Sequence, residues 1–175
     1  LETACTSIKH GLTDHSPLKI KEEEFDRLLQ NHAATFVTLH KEGLLRGCIG
    51  TLEAYQALIT DVSEHAYAAA FKDPRFPPLE LNELAHLHIE ISVLSPMSAI
   101  SFTDEADLLK KLQPRMDGLT IEDHGHKATF LPQVWESLST PEEFLTQLKL
   151  KAGLTSSYWS SDFKAYRYSV TSFEE

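Results

Sequence analysis

Cysteine is nearly absent: the 175 residues hold only Cys5 and Cys48, and the pair shows no zinc-type spacing. Two thiols cannot build a disulfide framework, so the scarcity excludes a small stapled scaffold and points to a reducing, cytoplasmic setting. Long apolar runs are missing as well. No stretch approaches the ~20 residues that a membrane-spanning helix needs. The amino-terminal residues mix Glu2, Lys9 and His10 with apolar side chains, unlike a secretory signal. Positive charge is in short supply: 16 Lys and Arg face 26 Asp and Glu, a net charge of −10 with histidines neutral. That balance argues against a nucleic-acid backbone or an anionic membrane surface as partner. Repeats, low-complexity tracts and long linkers are also lacking, which favours a single domain over residues 1–175.

What is there alternates between helical and strand periodicity. A helical opening stops at Asp14-His15-Ser16-Pro17, and Phe25, Leu28 and Leu29, behind Glu22–Glu24, predict a second helix. Thr35–His40 and Leu44–Gly50 predict a hairpin around Lys41-Glu42-Gly43. Leu58, Ile59, Val62, Ala66, Ala69 and Ala70 give helix spacing over Tyr55–Phe71, with a small-residue end suited to close packing. Asp73–Pro78 holds three prolines and predicts a stiff extended loop. His86–Ser95 alternates, Leu87, Ile89, Ile91 and Val93 on one face and His86, His88, Glu90 and Ser92 on the other. A short helix opens at Thr103-Asp104-Glu105, and a hairpin turns at Asp123–His126. Thr140-Pro141-Glu142-Glu143 starts a further helix, and Tyr166–Phe173 predicts a last strand. Hairpins and single strands between helices, without repeated βαβ units, predict an α+β fold with a mainly antiparallel sheet flanked by helices.

Chemistry concentrates at Leu44-Leu45-Arg46-Gly47-Cys48-Ile49-Gly50. In a regular strand Arg46 shares a face with Cys48, and a fixed positive charge beside a thiol favours the reactive thiolate. Gly47 and Gly50 permit close approach of a ligand or of another backbone. A free cysteine also serves as a small buried hydrophobe, and Arg46 equally suits a structural salt bridge. Glu90 and His88 share a polar strand face, where they can manage protons, hold Arg46 across the sheet, or simply be solvated. With His86 they invite a metal, but three alternate residues on a strand span ~6.8 Å, too far to grip one ion, so no metal is expected. Asp73 and Arg75 flank Pro74. They suit either a capped turn with an ion pair or a pocket wall that presents Arg75 to an anion. His65 is expected to pack beside its helix's buried stripe, and Tyr158, Trp159, Tyr166 and Tyr168 to serve core and rim. The residues name no cofactor.

Several blocks in order make the chain resemble the AMMECR domain family, the AmmeMemoRadiSam system protein A group. They are FVTL and LLRGCIG at Phe36–Gly50, AAAFKDPRFPPL at Ala68–Leu79, and IEISVLSP at Ile89–Pro96. DGLTIEDHGHKATFLPQVW at Asp117–Trp135 and KAGL at Lys151–Leu154 complete them. One departure is Leu148-Lys149-Leu150, where many relatives carry a cysteine before the basic residue. The resemblance implies an α+β fold of two unequal lobes with the Leu44–Gly50 strand lining a cleft between them, and a cytoplasmic location. It also implies a modification pathway shared with MEMO-like and radical-SAM proteins. It supplies no established catalytic residues. Two expectations follow: a pathway component with Cys48 as nucleophile or redox thiol, helped by Arg46, Glu90 and His88, or a non-catalytic adaptor. The adaptor uses the same cleft, with Gly47, Gly50, Asp73 and Arg75, for a small molecule, peptide or protein.

Overall fold

Hydrophobic alternation and helix caps sort the chain into two antiparallel four-stranded sheets with helices, an α+β architecture. A computed structural model describes residues 1–174. The chain divides into two compact units, Leu1–Leu94 with the residues from Thr171 onward, and Ser95–Val170.

In the first unit, β1 (Ala34–Lys41) lies between β2 (Leu44–Gly50) and β3 (Leu87–Leu94), and β8 (Val170–Glu174) extends the sheet beyond β3. Glu42 and Gly43 both take positive φ, the conformation a two-residue hairpin turn requires. Val37 and Leu39 of β1 and Ile89 and Ile91 of β3 point to one face, where they pack with α1 (Glu2–Asp14) and α3 (Leu58–Phe71). Small residues set the spacing: a Cβ on Gly47 would lie 2.1 Å from the Ala69 carbonyl oxygen of α3. The second helix expected behind Glu22–Glu24 does not form as such. Those residues make one 3-10 turn, Phe25 is extended, and Asp26 accepts the Leu28 amide to start a four-residue α2 (Arg27–Gln30). One turn cannot bury an apolar stripe, and Leu28 stays 74% exposed.

In the second unit the strand order is β4 (Ser98–Ala99), β7 (Lys164–Tyr168), β5 (Gly118–Asp123), β6 (His126–Phe130). The β5–β6 turn again uses positive φ, at His124 and Gly125. Thr140 accepts the Glu143 amide and Pro141 opens α5 (Pro141–Lys151), as its sequence predicts; α4 (Glu105–Lys111) is capped by Asp104. Trp135 stacks on Phe144 at 3.8 Å and donates Nε1–H to the Asp117 carbonyl, so the buried indole leaves no polar atom unpaired. The single last strand expected over Tyr166–Phe173 is two strands in two sheets. The break falls at Ser169, whose amide donates to Ser95 Oγ and whose carbonyl accepts the Ser95 amide. No described helix is long and apolar enough to cross a membrane.

Candidate functional site around Cys48

β2 is an edge strand, and its outer hydrogen-bonding groups need partners. At Cys48 the Asp73–Arg75 loop supplies both. Asp73 Oδ2 accepts the Cys48 amide at 2.9 Å, and Arg75 Nη2 donates to the Cys48 carbonyl at 3.2 Å. The two side chains are themselves locked: Arg75 Nε and Nη2 donate to the two Asp73 oxygens at 2.9 and 2.6 Å, and the Arg75 amide adds a third bond at 3.1 Å. This guanidinium, with the two amides, holds the buried Asp73 carboxyl well below the usual carboxylate range despite its desolvation. The same hydrogen bond raises Arg75, with a smaller electrostatic contribution from Cys48. A stiff proline loop thus closes a strand edge with side chains.

The half-buried Cys48 stands opposite Thr38 of β1, whose hydroxyl donates to the sulfur at 3.3 Å. Thr38 in turn stands opposite Glu90 of β3. Cys48, Thr38 and Glu90 therefore form one row across three strands, and Ser172 of β8 donates to Glu90 Oε1 at 3.2 Å. His88 lies two residues along the same face. It approaches Glu174 at 3.5 Å and tilts against His40.

Arg46 does not stand beside Cys48 as strict alternation requires. The ladder shifts register between Leu39, opposite Gly47, and His40, opposite Leu45, which makes Arg46 the extra residue of a bulge. Its side chain forks onto Glu83, Nε to Oε1 at 3.0 Å and Nη2 to Oε2 at 2.9 Å, rather than reaching across the sheet to Glu90. Lys41 and the Glu80 amide also bind Glu83, and together they bring its carboxyl down to about 2, Arg46 contributing most. The positive charge at Cys48 is Arg75, not Arg46. Both guanidinium groups lie near the half-buried Phe76 ring, at 5.9 Å for Arg46 and 5.5 Å for Arg75. The approach that Gly47 and Gly50 permit is used by the protein's own chain: Ala69 at Gly47, and Thr35 and Phe36 at Gly50.

A second buried cluster escaped the sequence reading. Asp61 accepts the Thr35 amide at 3.0 Å and the Thr35 hydroxyl at 2.6 Å, and His65 Nδ1 lies 3.1 Å from both Thr35 Oγ1 and Asp61 Oδ2. His65 is packed, as expected, but it is also hydrogen-bonded. The Asp61–His65 spacing of four on a helix was the available signal. Glu83, the residue that fixes Arg46, carried no local signal.

The AMMECR1 family model matches residues 1–173. Protein MJ0810 of Methanocaldococcus jannaschii is 38% identical over 165 residues, covering 90% of this chain and 80% of the relative. A protein of Methanothermobacter thermautotrophicus is 33% identical over 181 residues, covering 100% and 92%. Among solved structures, the crystal structure of the uncharacterized protein PH0010 from Pyrococcus horikoshii superposes with a TM-score of 0.89 at 31% identity. That match covers 99% of this chain and 88% of the other.

Proposed function

The chain belongs to the AMMECR1 family, and on that premise we propose that it is a cytoplasmic component of a protein- or metabolite-modification pathway in which Cys48 is the reactive group. The observation that carries this reading is the setting of the thiol. One hydroxyl donates to its sulfur, and a guanidinium fixed by a buried carboxylate lies at its backbone. Both are the means by which proteins favour a thiolate nucleophile. Thr38 and Arg75 serve the sulfur, while Glu90 with Ser172 lies one strand beyond Thr38, where it can take up a proton from a bound substrate. Arg46 serves the fold and leaves the chemistry to Arg75. The partners expected for such a component are MEMO-like and radical-SAM proteins.

Competitive alkylation tests the thiol. Iodoacetamide forms an S–C bond with loss of iodide and of the thiol proton to solvent, and Cys5, the only other thiol, is the internal standard. Cys48 is expected to react at least ten times faster than Cys5 at pH 7, and Arg75→Gln and Thr38→Val each to cut that advantage severalfold. A Cys48 that reacts no faster than Cys5 in the folded protein overturns the proposal.

One observation favours the adaptor reading: Arg75 donates to the Cys48 backbone carbonyl, which closes the strand edge whether or not the thiol reacts. An adaptor keeps partner binding in Cys48→Ser, and a pull-down of a MEMO-like protein with that variant separates the two.

A further inference from the structure

The second sheet ends in a short edge strand that is open at Ala99. β4 pairs with β7 on one side only, and Ser98 and Ala99 are both exposed. Ile100 donates its amide to the Ala165 carbonyl at 2.9 Å, so Ile100 faces β7. Antiparallel alternation then turns the amide and carbonyl of Ala99 and of Ser101 to the open side. The Ser101 carbonyl does point that way, where it accepts the Lys111 ammonium at 2.7 Å.

Two cavities meet along this segment, both lined by Ala99, Ile100 and Ser101. One, about 370 Å³, is walled by Phe102, Trp159, Phe163 and Tyr166. Its rings support one another: Trp159 stacks on Phe163 at 4.7 Å and tilts against Phe102 at 5.6 Å. The other, about 590 Å³, takes all its charged lining from Lys110, Lys111 and Arg167. In a chain of net charge −10 that is a local inversion of sign. Asp107 partly offsets Lys111, and Asp117 lies 3.6 Å from Arg167. Among the described residues Lys110 has no ion pair; Arg167 Nη2 donates to the Lys111 carbonyl, while its buried Nε has no hydrogen-bond partner.

We infer that the β4 edge binds an extended acidic-aromatic peptide as an added strand, its alternate side chains entering the aromatic and the basic cavity. Successive residues of a strand point to opposite faces, so one register delivers an aromatic or large aliphatic side chain to Trp159 and an aspartate or glutamate to Lys110 and Arg167. Backbone hydrogen bonds to Ala99 supply affinity, the two cavities supply selectivity, and the partner's carboxylate displaces nothing at Lys110. This site lies in the second unit and does not rest on the proposed reactivity of Cys48.

The probe is the capped pentapeptide Glu-Phe-Glu-Phe-Glu, titrated into the full chain while fluorescence and backbone amide exchange are followed. Trp159 reports locally because the other tryptophan, Trp135, is buried against Phe144. Saturable binding with slowed exchange of the Ala99 amide is expected, weakened at least tenfold by Lys110→Glu. Ala99→Pro removes the open-side donor and leaves the β7 ladder intact, since proline is tolerated on an edge whose N–H faces solvent; it should weaken binding to a similar degree. A Lys-Phe-Lys-Phe-Lys peptide that binds as well overturns the charge assignment and with it the proposal. So does the absence of saturable binding, or binding that Lys110→Glu leaves unchanged in a variant whose thermal unfolding matches the parent.

Discussion

Ala4, Ala66, Ala69 and Ala70 lie among the aliphatic side chains of the first unit's core, whereas Trp135, Phe144 and Phe163 fill the second's. The first unit gains its packing from close backbone approach, with Gly47 of β2 against Ala69 of α3. The second gains it from ring volume, with Phe144 stacked on Trp135 at 3.8 Å and meeting Phe130 edge-on at 5.3 Å. Their polar anchoring differs too. The first unit is pinned by carboxylates paired with arginine, Asp73 with Arg75 and Glu83 with Arg46. The second instead buries an ammonium, Lys149 paired with Glu105 at 2.7 Å, and a tyrosine, Tyr168, hydrogen-bonded to Thr129 and Phe130. A core of small residues should be sensitive to added atoms, and a core of rings to lost ones.

The largest effect is expected from Trp135→Ala, which removes a stacked ring and strands the Asp117 carbonyl: about 3–5 kcal/mol in urea unfolding. Trp135→Phe, keeping the ring contact with Phe144 and losing the hydrogen bond, should cost far less. If the two variants cost the same, volume is not what holds the second unit. Arg46→Ala comes next, at about 3 kcal/mol, because it removes both forked bonds to Glu83 from a nearly buried pair. A double-mutant cycle with Glu83→Gln should recover most of that cost. Gly47→Ala adds a single methyl where 2.1 Å separates it from the Ala69 oxygen, and about 2 kcal/mol is expected from the forced shift of α3. A neutral result would mean that the first unit tolerates expansion, contrary to the contrast drawn between the cores.

The parts of the fold that were legible in the sequence are those fixed by neighbours along the chain. Strict alternation gave β3, because its apolar face, Ile89 and Ile91, is buried against the helices. Thr140 and Pro141 announced α5, because a cap acts within one turn. What stayed illegible depends on distant partners. The bulge at Arg46 exists to reach Glu83, thirty-seven residues away, and the clamp on Cys48 comes from a loop twenty-five residues on. Cys48, Asp73 and Arg75 each stand out in the sequence, but nothing local links the loop to the strand edge. Nor does any strong breaker mark Ser169, where one strand-like run is shared between two sheets; the division is made by Ser95 pairing with it.

Acid should distinguish the two units. Glu83 titrates at about 2 in the folded chain against an ordinary 4.5, so its contribution is fully present above pH 4.5 and is lost as pH falls toward 2. Asp73 is shifted in the same direction and adds to that slope. Asp107 of the second unit is also lowered, but its pair with Lys111 is at the surface, where salt screens it. In 0.5 M salt, protection against amide exchange in β1 and β2, taken relative to the intrinsic rate at each pH, should therefore fall between pH 4.5 and 2 ahead of protection in β5. Glu83→Gln should flatten the difference. Simultaneous loosening of both sheets would dissolve the electrostatic half of the comparison.

The smallest effect lies at the alkaline end, in the second unit. Burial pushes the Tyr168 hydroxyl up to about 12 against an ordinary 10, so the fold favours its neutral form. The stability linked to that group is present below pH 10 and is lost as pH rises toward 12, as the unfolded chain ionises first. Tyr168→Phe removes a hydroxyl that donates to the Phe130 carbonyl and meets Thr129, at a cost of about 1 kcal/mol near neutrality. It also removes the group that titrates. Between pH 10 and 12 the variant's stability should therefore fall less steeply than the parent's, and the gap between the two should narrow. If the curves stay parallel, the alkaline loss arises elsewhere, and Tyr168 is held by the packing of its ring above Gly118, where no Cβ fits.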